Sequence, residues 1–439
     1  MYLPRLIDTE LENWRLAAQR KPLMLRGARQ VGKSSAVRQL ARQFTHFVEI
    51  NFDEQPQFSQ IFEQHSDVGD ICELLSAATN TPIQPGKTLL FLDEIQTCIP
   101  AVGSLRYFYE KMPDLHVVAA GSLLEFALSE LPSFGVGRVR SLFLYPFCFE
   151  EFLMANGEDI LLNTLQKANC DKPLPDILHD KLKHHLKRFL ILGGMPEVVR
   201  AYVTDRDLQE AQRVLDDLIV SLESDFSKYK NRVATSRVRE VFDTVVRQIG
   251  FKFSYTYPNS SLNNAQIKEV LELLRMAGLI YPVTHTAANG IPIGAEVNLK
   301  YRKYLLFDTG IAQRILGLSI SEQLMADDFQ SINKGAIAEL HVGLELVKNH
   351  SPYQPAALYY WQRESRNSQA EVDYVVQQEA DIVPIEVKAN TKGAMQSMFM
   401  FLEEKRASKG VRFSLENFGR LHQIHIFPLY AVRNMMLEG

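Results

Sequence analysis

Three groups of residues in this chain are spaced as chemistry would need them. The first is Gly27-Ala28-Arg29-Gln30-Val31-Gly32-Lys33-Ser34, followed by Ser35. Its glycines let consecutive backbone N–H groups curl around phosphate oxygens, its lysine reaches the β- and γ-phosphates, and its hydroxyl suits magnesium. Apolar Pro22 to Leu25 reads as a short buried strand and Ser34 to Phe44 as an amphipathic helix, so the loop stands at a helix N-terminus, where anions are favoured. ATP and Mg2+ are the expected cofactors, cradled by residues Gly27 to Ser35, with Lys33 on the phosphates and Ser34 on the metal.

The second group completes that site. Thr88-Leu89-Leu90-Phe91-Leu92-Asp93-Glu94 is an apolar run ending in two carboxylates, as a parallel strand does at the mouth of an α/β site. Asp93 is expected in the magnesium shell and Glu94 as the base that orients the attacking water. Strand-like His116 to Ala120 leads through Gly121 to Ser122, placed at the same sheet edge to position the water or sense the γ-phosphate.

The third group lies far downstream. Gly335-Ala336-Ile337-Ala338-Glu339 opens an apolar helix, Ala370 to Val376 is a strand carrying Asp373, and Ile385-Glu386-Val387-Lys388 is a strand ending E-x-K. Alternation puts Glu386 and Lys388 on one face, which also takes Asp373 if the strands form a hairpin. Asp373 and Glu386 could then hold a divalent metal against a phosphodiester while Lys388 steadies the hydroxide. E-x-K is also a common pair on exposed strands. The helix acid Glu339 and the apolar strands around the charges favour the chemical reading.

These residues need a large scaffold. At 439 residues the chain exceeds one ordinary core, and 46% hydrophobic with 23% charged residues fits a soluble globular protein with several. The expected class is multidomain α/β: a parallel-sheet core over 1–155, a helical lid over 156–229, a winged-helix-like domain over 230–315 and an α/β domain over 316–439. The winged helix rests on a helix from Asn263 to Gly278 feeding a hairpin, Leu279 to Val283 and Ile291 to Asn298, turned at Asn289-Gly290. A net charge of −4 gives no global attraction to nucleic acid, so any contact needs a local basic surface. Lys181, Lys183, His184, His185, Lys187 and Arg188 form one such cluster, which also reads as a solvated helix face. Four scattered cysteines without a C-x-x-C pair argue against zinc and disulfides and fit a reducing cytoplasm. The charged, proline-broken N-terminus is not a signal peptide, and no apolar run suggests a membrane.

In order along the chain, GARQVGKSS, LFLDEIQ, AAGSLLEFAL, GRVRSLFLYPFCFEEF and GGMPEVV resemble a family of prokaryotic AAA-type ATPases with an uncharacterised C-terminal domain. The resemblance implies ATP hydrolysis. It makes Arg138, just before a further strand, a candidate arginine finger acting in trans in a homo-oligomer, beside the reading of a capping arginine paired with a local carboxylate, and Gly193 to Pro196 a lid element laid against adenine, with Pro196 at the nucleotide, or else a plain interhelical turn. Glu197 stands near where related proteins carry a lid arginine; Arg200 is the substitute. The third group is similar to the PD-(D/E)xK nuclease superfamily, with Val372 in place of its proline. A nucleic-acid partner, DNA before RNA, is the leading expectation. The alternative is an ATP-gated switch with a non-cutting C-terminal module.

Overall fold

The computed structural model of the protein describes residues 2–130, 137–229, 233–256, 262–319, 334–363, 370–389 and 395–438. The expected lid boundary at 229/230 meets residues outside this set. Two compact units emerge: one of Met1–Tyr145 with Met276–Gly278 and Ser351–Pro355, the other of Pro146–Arg275, Leu279–His350 and Ala356–Gly439. Residues 146–155, expected in the N-terminal core, thus belong to the second unit.

The first unit is built on five parallel strands, β1 (Leu23–Arg26), β2 (His46–Asn51), β3 (Thr88–Asp93), β4 (His116–Ala120) and β5 (Arg140–Phe143), in the order β2-β3-β4-β1-β5. Every residue of β3 and β4 is buried, which explains their unbroken apolar sequences: helices cover both faces of such a sheet. Because all five strands point one way, the ends of β1, β3 and β4 meet at one edge, where α/β proteins place ligands.

The second unit carries eight strands: β6 (Ile280–Thr286), β7 (Val297–Leu306), β8 (Leu358–Gln362), β9 (Glu371–Gln378), β10 (Asp381–Val387), β11 (Gly410–Ser414), β12 (Gly419–Leu421) and β13 (Ile424–Pro428). Their order is β12-β13-β11-β10-β9-β8-β6-β7. The anticipated hairpin exists, but its second strand starts at Val297 rather than Ile291, because Ile293–Glu296 turns as a 3-10 helix. Nor is it self-contained: β6 pairs in parallel with β8 through Val283↔Leu358 to His285↔Tyr360. Backbone pairing therefore crosses the 315/316 boundary expected from the sequence. β9 and β10 do form the antiparallel hairpin on which the third group depends, with Ile385 opposite Tyr374.

Helix Lys334–Lys348 packs against this sheet. Its close approach needs Gly343, where a Cβ would fall 2.3 Å from the Tyr374 hydroxyl, and that hydroxyl donates to the Glu339 carbonyl at 2.8 Å. The same helix buries His341, whose Nε2 contacts the Leu429 carbonyl at 3.0 Å and so carries the proton. Among the described residues no helix is long and apolar enough to cross a membrane. All four cysteines are free and buried.

Burial, with Lys348 adding repulsion, pushes the His341 imidazole down to about 3. An unfolded histidine titrates near 6.5, so the neutral ring's contribution is full above that pH and is lost as pH falls toward 3. Urea unfolding midpoints of wild type and His341→Gln should therefore converge as pH is lowered from about 7 to 4. A gap that stays constant across this range would contradict the assignment.

Candidate functional site

The loop after β1 has the backbone its glycines suggest. Gly27, Gln30 and Gly32 have positive φ, at 144°, 61° and 97°, and Gly32 leads directly into the helix Lys33–Ala41. At Gly27 the requirement is also steric: a Cβ would lie 2.0 Å from the Leu144 carbonyl oxygen. The buried Lys33 ammonium donates to the carbonyls of Gly27 at 3.0 Å and Ala28 at 2.8 Å, so it sits inside the loop's curl. Burial lowers it to about 8, while Glu94 and Asp93 act to keep it charged. Anionic phosphates would favour the charged form further.

Ser34 and Asp93 meet here. The Ser34 hydroxyl donates to Asp93 Oδ2 at 2.7 Å, joining the start of the helix to the end of β3. Burial raises the Asp93 carboxyl. A hydroxyl and a carboxylate in contact beside a phosphate loop are an oxygen donor set that suits magnesium, so the residues fit that ion. Ala28, Arg29, Val31 and Ser35 complete the loop and the first helical turn.

Glu94 follows Asp93 with φ of 49°, a turn that carries its side chain away from the strand line. Its Oε2 accepts from Gln96 Nε2 and, at 3.3 Å, from the Ser122 hydroxyl, which Arg29 Nε approaches at 3.2 Å. Both bonds fall on one oxygen, leaving Oε1 to accept a proton from water. Ser122 thus touches the candidate base, and two further residues join it: Gln96 as a direct holder and Arg29 through Ser122. The Q of LFLDEIQ was visible as text, but without a strand end to anchor it nothing pointed it back at Glu94.

Other expected participants have local partners. Arg138 Nε donates to Glu110 Oε1 at 2.6 Å, an acid that also pairs with Arg106. Pro196 opens the helix Pro196–Asp205 in the second unit. The preceding glycines wrap the buried Asp308: Gly194 N–H donates to its Oδ2 at 2.6 Å, and a Cβ on Gly193 would strike its carboxylate. Arg200 lies 3.8 Å from Glu197 on its own helix.

The third group does converge, around a residue that sequence reading missed. Lys303, on β7, is buried and donates to Glu339 Oε1 at 2.9 Å, and it also pairs with Glu371. Asp373 Oδ2 accepts the Val387 N–H at 2.7 Å, and Lys388 pairs with Glu386. Glu386 Oε2 is buried without a hydrogen-bond partner. Burial among neighbouring acids pushes Glu339 up to about 8 and Glu386 to about 7, and raises Asp373. Glu339, Glu371, Asp373 and Glu386 are thus balanced by two lysines and by protons.

The divalent ion expected of Asp373 and Glu386 would share this cluster with two ammonium groups. Lys303 reaches Glu339 and Glu371 while Lys388 reaches Glu386, and like charge so close opposes a metal. Among the described residues, the one trio of metal-ligating side chains with ligand atoms within 4.8 Å of one another is elsewhere. The clue to Lys303 was its alternation with Leu305 and Phe307 in KYLLF, which puts a lysine on an inward register.

Beside the cluster runs a cavity of about 1260 Å³, lined in part by Ala338 and Ala389, the chain neighbours of Glu339 and Lys388. Its charged lining is Lys181, Lys183, Lys187, Arg188 and Arg206 against Glu158 and Asp180, with His184 and His185. Five cations over two acids make it basic, although Lys181 pairs with Glu158 at 2.6 Å and Lys183 with Asp180 at 2.7 Å.

A family model described as an AAA domain matches residues 19–153. Two further models, both domains of unknown function, DUF8612 and DUF4143, match residues 183–322 and 334–432. No curated protein matches. Among solved structures, the Aeropyrum pernix Orc1 protein in complex with DNA is similar at 13% identity and a TM-score of 0.26, over 74% of this chain and 94% of that one. AMPPCP-bound DnaA from Aquifex aeolicus is similar at 14% identity and a TM-score of 0.23, over 62% and 76%, and Drosophila ORC bound to DNA at 14% and 0.26, over 72% and 88%. The phosphate-loop geometry and the family match thus agree in likening the segment 19–153 to an AAA-type P-loop domain.

Proposed function

We propose that the protein is an ATP-hydrolysing switch that engages a polyanion, nucleic acid foremost and DNA before RNA, through the basic cavity beside a C-terminal cluster that does not cut. The observation that carries the hydrolysis is the 2.7 Å contact of Ser34 with Asp93 beside the loop that encloses Lys33. Lys33 would turn from the loop carbonyls to the β- and γ-phosphates, whose charge it neutralises. Ser34 and Asp93 would hold the Mg2+, which supplies Lewis-acid stabilisation of the phosphates. Glu94 Oε1 would take the proton of the attacking water while Gln96 and Ser122 fix the other oxygen.

Support for the polyanion comes from the basic cavity, and support for a non-cutting cluster comes from Lys303, an ammonium that supplies its acids with counter-charge. Catalysis by Arg138 in trans within a homo-oligomer belongs to the same reading and requires that its pair with Glu110 open. Turnover per subunit that is independent of protein concentration would remove that element alone.

Lys33→Ala should lose nucleotide binding, whereas Glu94→Gln should bind ATP normally and hydrolyse it about 10² to 10⁴ times more slowly. Equilibrium binding of a fluorescent ATP analogue and steady-state phosphate release measure both. Unimpaired turnover by Glu94→Gln would move the base to another residue.

For the groove, the double variant Lys187→Ala, Arg188→Ala should weaken binding of duplex DNA at all sequences. The slope of log affinity against log salt should shrink by about 2, roughly one per lost phosphate contact. An unchanged slope, or no DNA binding by wild type with either ATP or ADP, would leave a protein partner as the object of the switch.

A further inference from the structure

The second unit contains a side-chain trio that neither the nucleotide site nor the lysine-centred cluster uses. Cys170, His425 and Glu438 each present one ligand atom, and these atoms lie within 4.8 Å of one another. They come from three places: a turn pinned by Asn169, whose Oδ1 accepts the N–H groups of Asp171 and Lys172; strand β13; and the residue after the helix Val432–Leu437. His425 Nδ1 is 3.8 Å from Glu438 Oε2. The Cys170 thiol, buried, points toward the Ile426 carbonyl at 3.6 Å, on the strand that carries His425.

We propose that Cys170, His425 and Glu438 bind one zinc-class ion. Bonds of about 2.3 Å to sulfur and about 2.0 Å to nitrogen and oxygen hold tetrahedral ligand atoms roughly 3.5 Å apart, so from a spread within 4.8 Å the trio needs to close by about 1.3 Å at most. The donor set decides the class: a thiolate and an imidazole select zinc, cobalt or nickel over magnesium or calcium, which take oxygen. Thiolate and carboxylate together offset the ion's two charges, and the thiol proton leaves as the metal enters. Of the two cations that act on the trio, Lys409 and Arg420, the latter pairs with Asp171 at 2.8 Å. Three protein ligands leave a fourth position open for water or an incoming ligand. Bound metal would tie the turn, β13 and the segment after the last helix to one another. The scattered cysteines argue against zinc on spacing alone, but a site assembled from three remote segments has no characteristic spacing.

The test uses the full chain stripped with a chelator and titrated with Zn2+ in competition with a chromophoric chelator, and in parallel with Co2+. One equivalent of Zn2+ should bind, and the cobalt form should show tetrahedral d–d bands with a thiolate-to-cobalt band in the near ultraviolet. Cys170→Ser should abolish the thiolate band, and His425→Gln and the surface variant Glu438→Gln should each weaken Zn2+ by about tenfold or more. Unchanged circular dichroism of Glu438→Gln keeps that outcome separate from misfolding. Absence of stoichiometric binding, or equal binding by Cys170→Ser, overturns the proposal; the latter would place any bound zinc on other groups.

Discussion

The ammonium of Lys303, buried between Glu339 and Glu371, is the interaction around which the second unit is organised. Each partner belongs to a different element: Lys303 to the outermost strand, Glu339 to the helix over the sheet and Glu371 to the start of β9. The Lys303 ammonium could not be buried alone, since an isolated ion in the interior costs several kcal/mol even after relaxation, and Glu339 with the partly exposed Glu371 supplies its counter-charge. Together they fix how far the β6–β7 hairpin, the helix and the E-x-K hairpin can move apart. Removing Lys303 would leave acids uncompensated, a change in the range of about 3 to 5 kcal/mol for buried pairs.

The first unit is governed differently. Its site is assembled by backbone: a loop that curls because Gly27 and Gly32 allow it, and parallel strands that bring Asp93 and Ser122 to the same edge. Its polar groups already touch one another, Lys33 with loop carbonyls, Ser34 with Asp93, and Glu94 with Gln96 and Ser122. Nucleotide would have to exchange these contacts for its own. The lysine-centred cluster holds its acids on Lys303 and Lys388, with one oxygen of Glu386 buried and unpartnered.

The nucleotide site was legible in the sequence because its determinants are local: a loop between one strand and one helix, and an apolar run that ends in its acids. The β9–β10 hairpin was legible for the same reason, and with it the meeting of Asp373, Glu386 and Lys388. What the sequence hid was long range. The β6–β8 pairing joins segments some seventy residues apart, so the hairpin read as a wing of its own module rather than part of the larger sheet. Lys303 was hidden with it, because its role depends on that placement. Arg138 pairs with Glu110, the local carboxylate contact that its sequence context offered beside a role in trans.

Manganese binding distinguishes an internal cation from a metal centre most directly. Titration of the full chain with Mn2+, followed by the paramagnetic resonance signal of free ion in the presence of excess chelated nucleotide, should show no site in wild type that depends on Asp373. In Lys303→Met, where the acids lose their ammonium, one Asp373-dependent site should appear. A wild-type protein that binds Mn2+ and loses it on Asp373→Asn would contradict the account and return the cluster to metal-dependent chemistry.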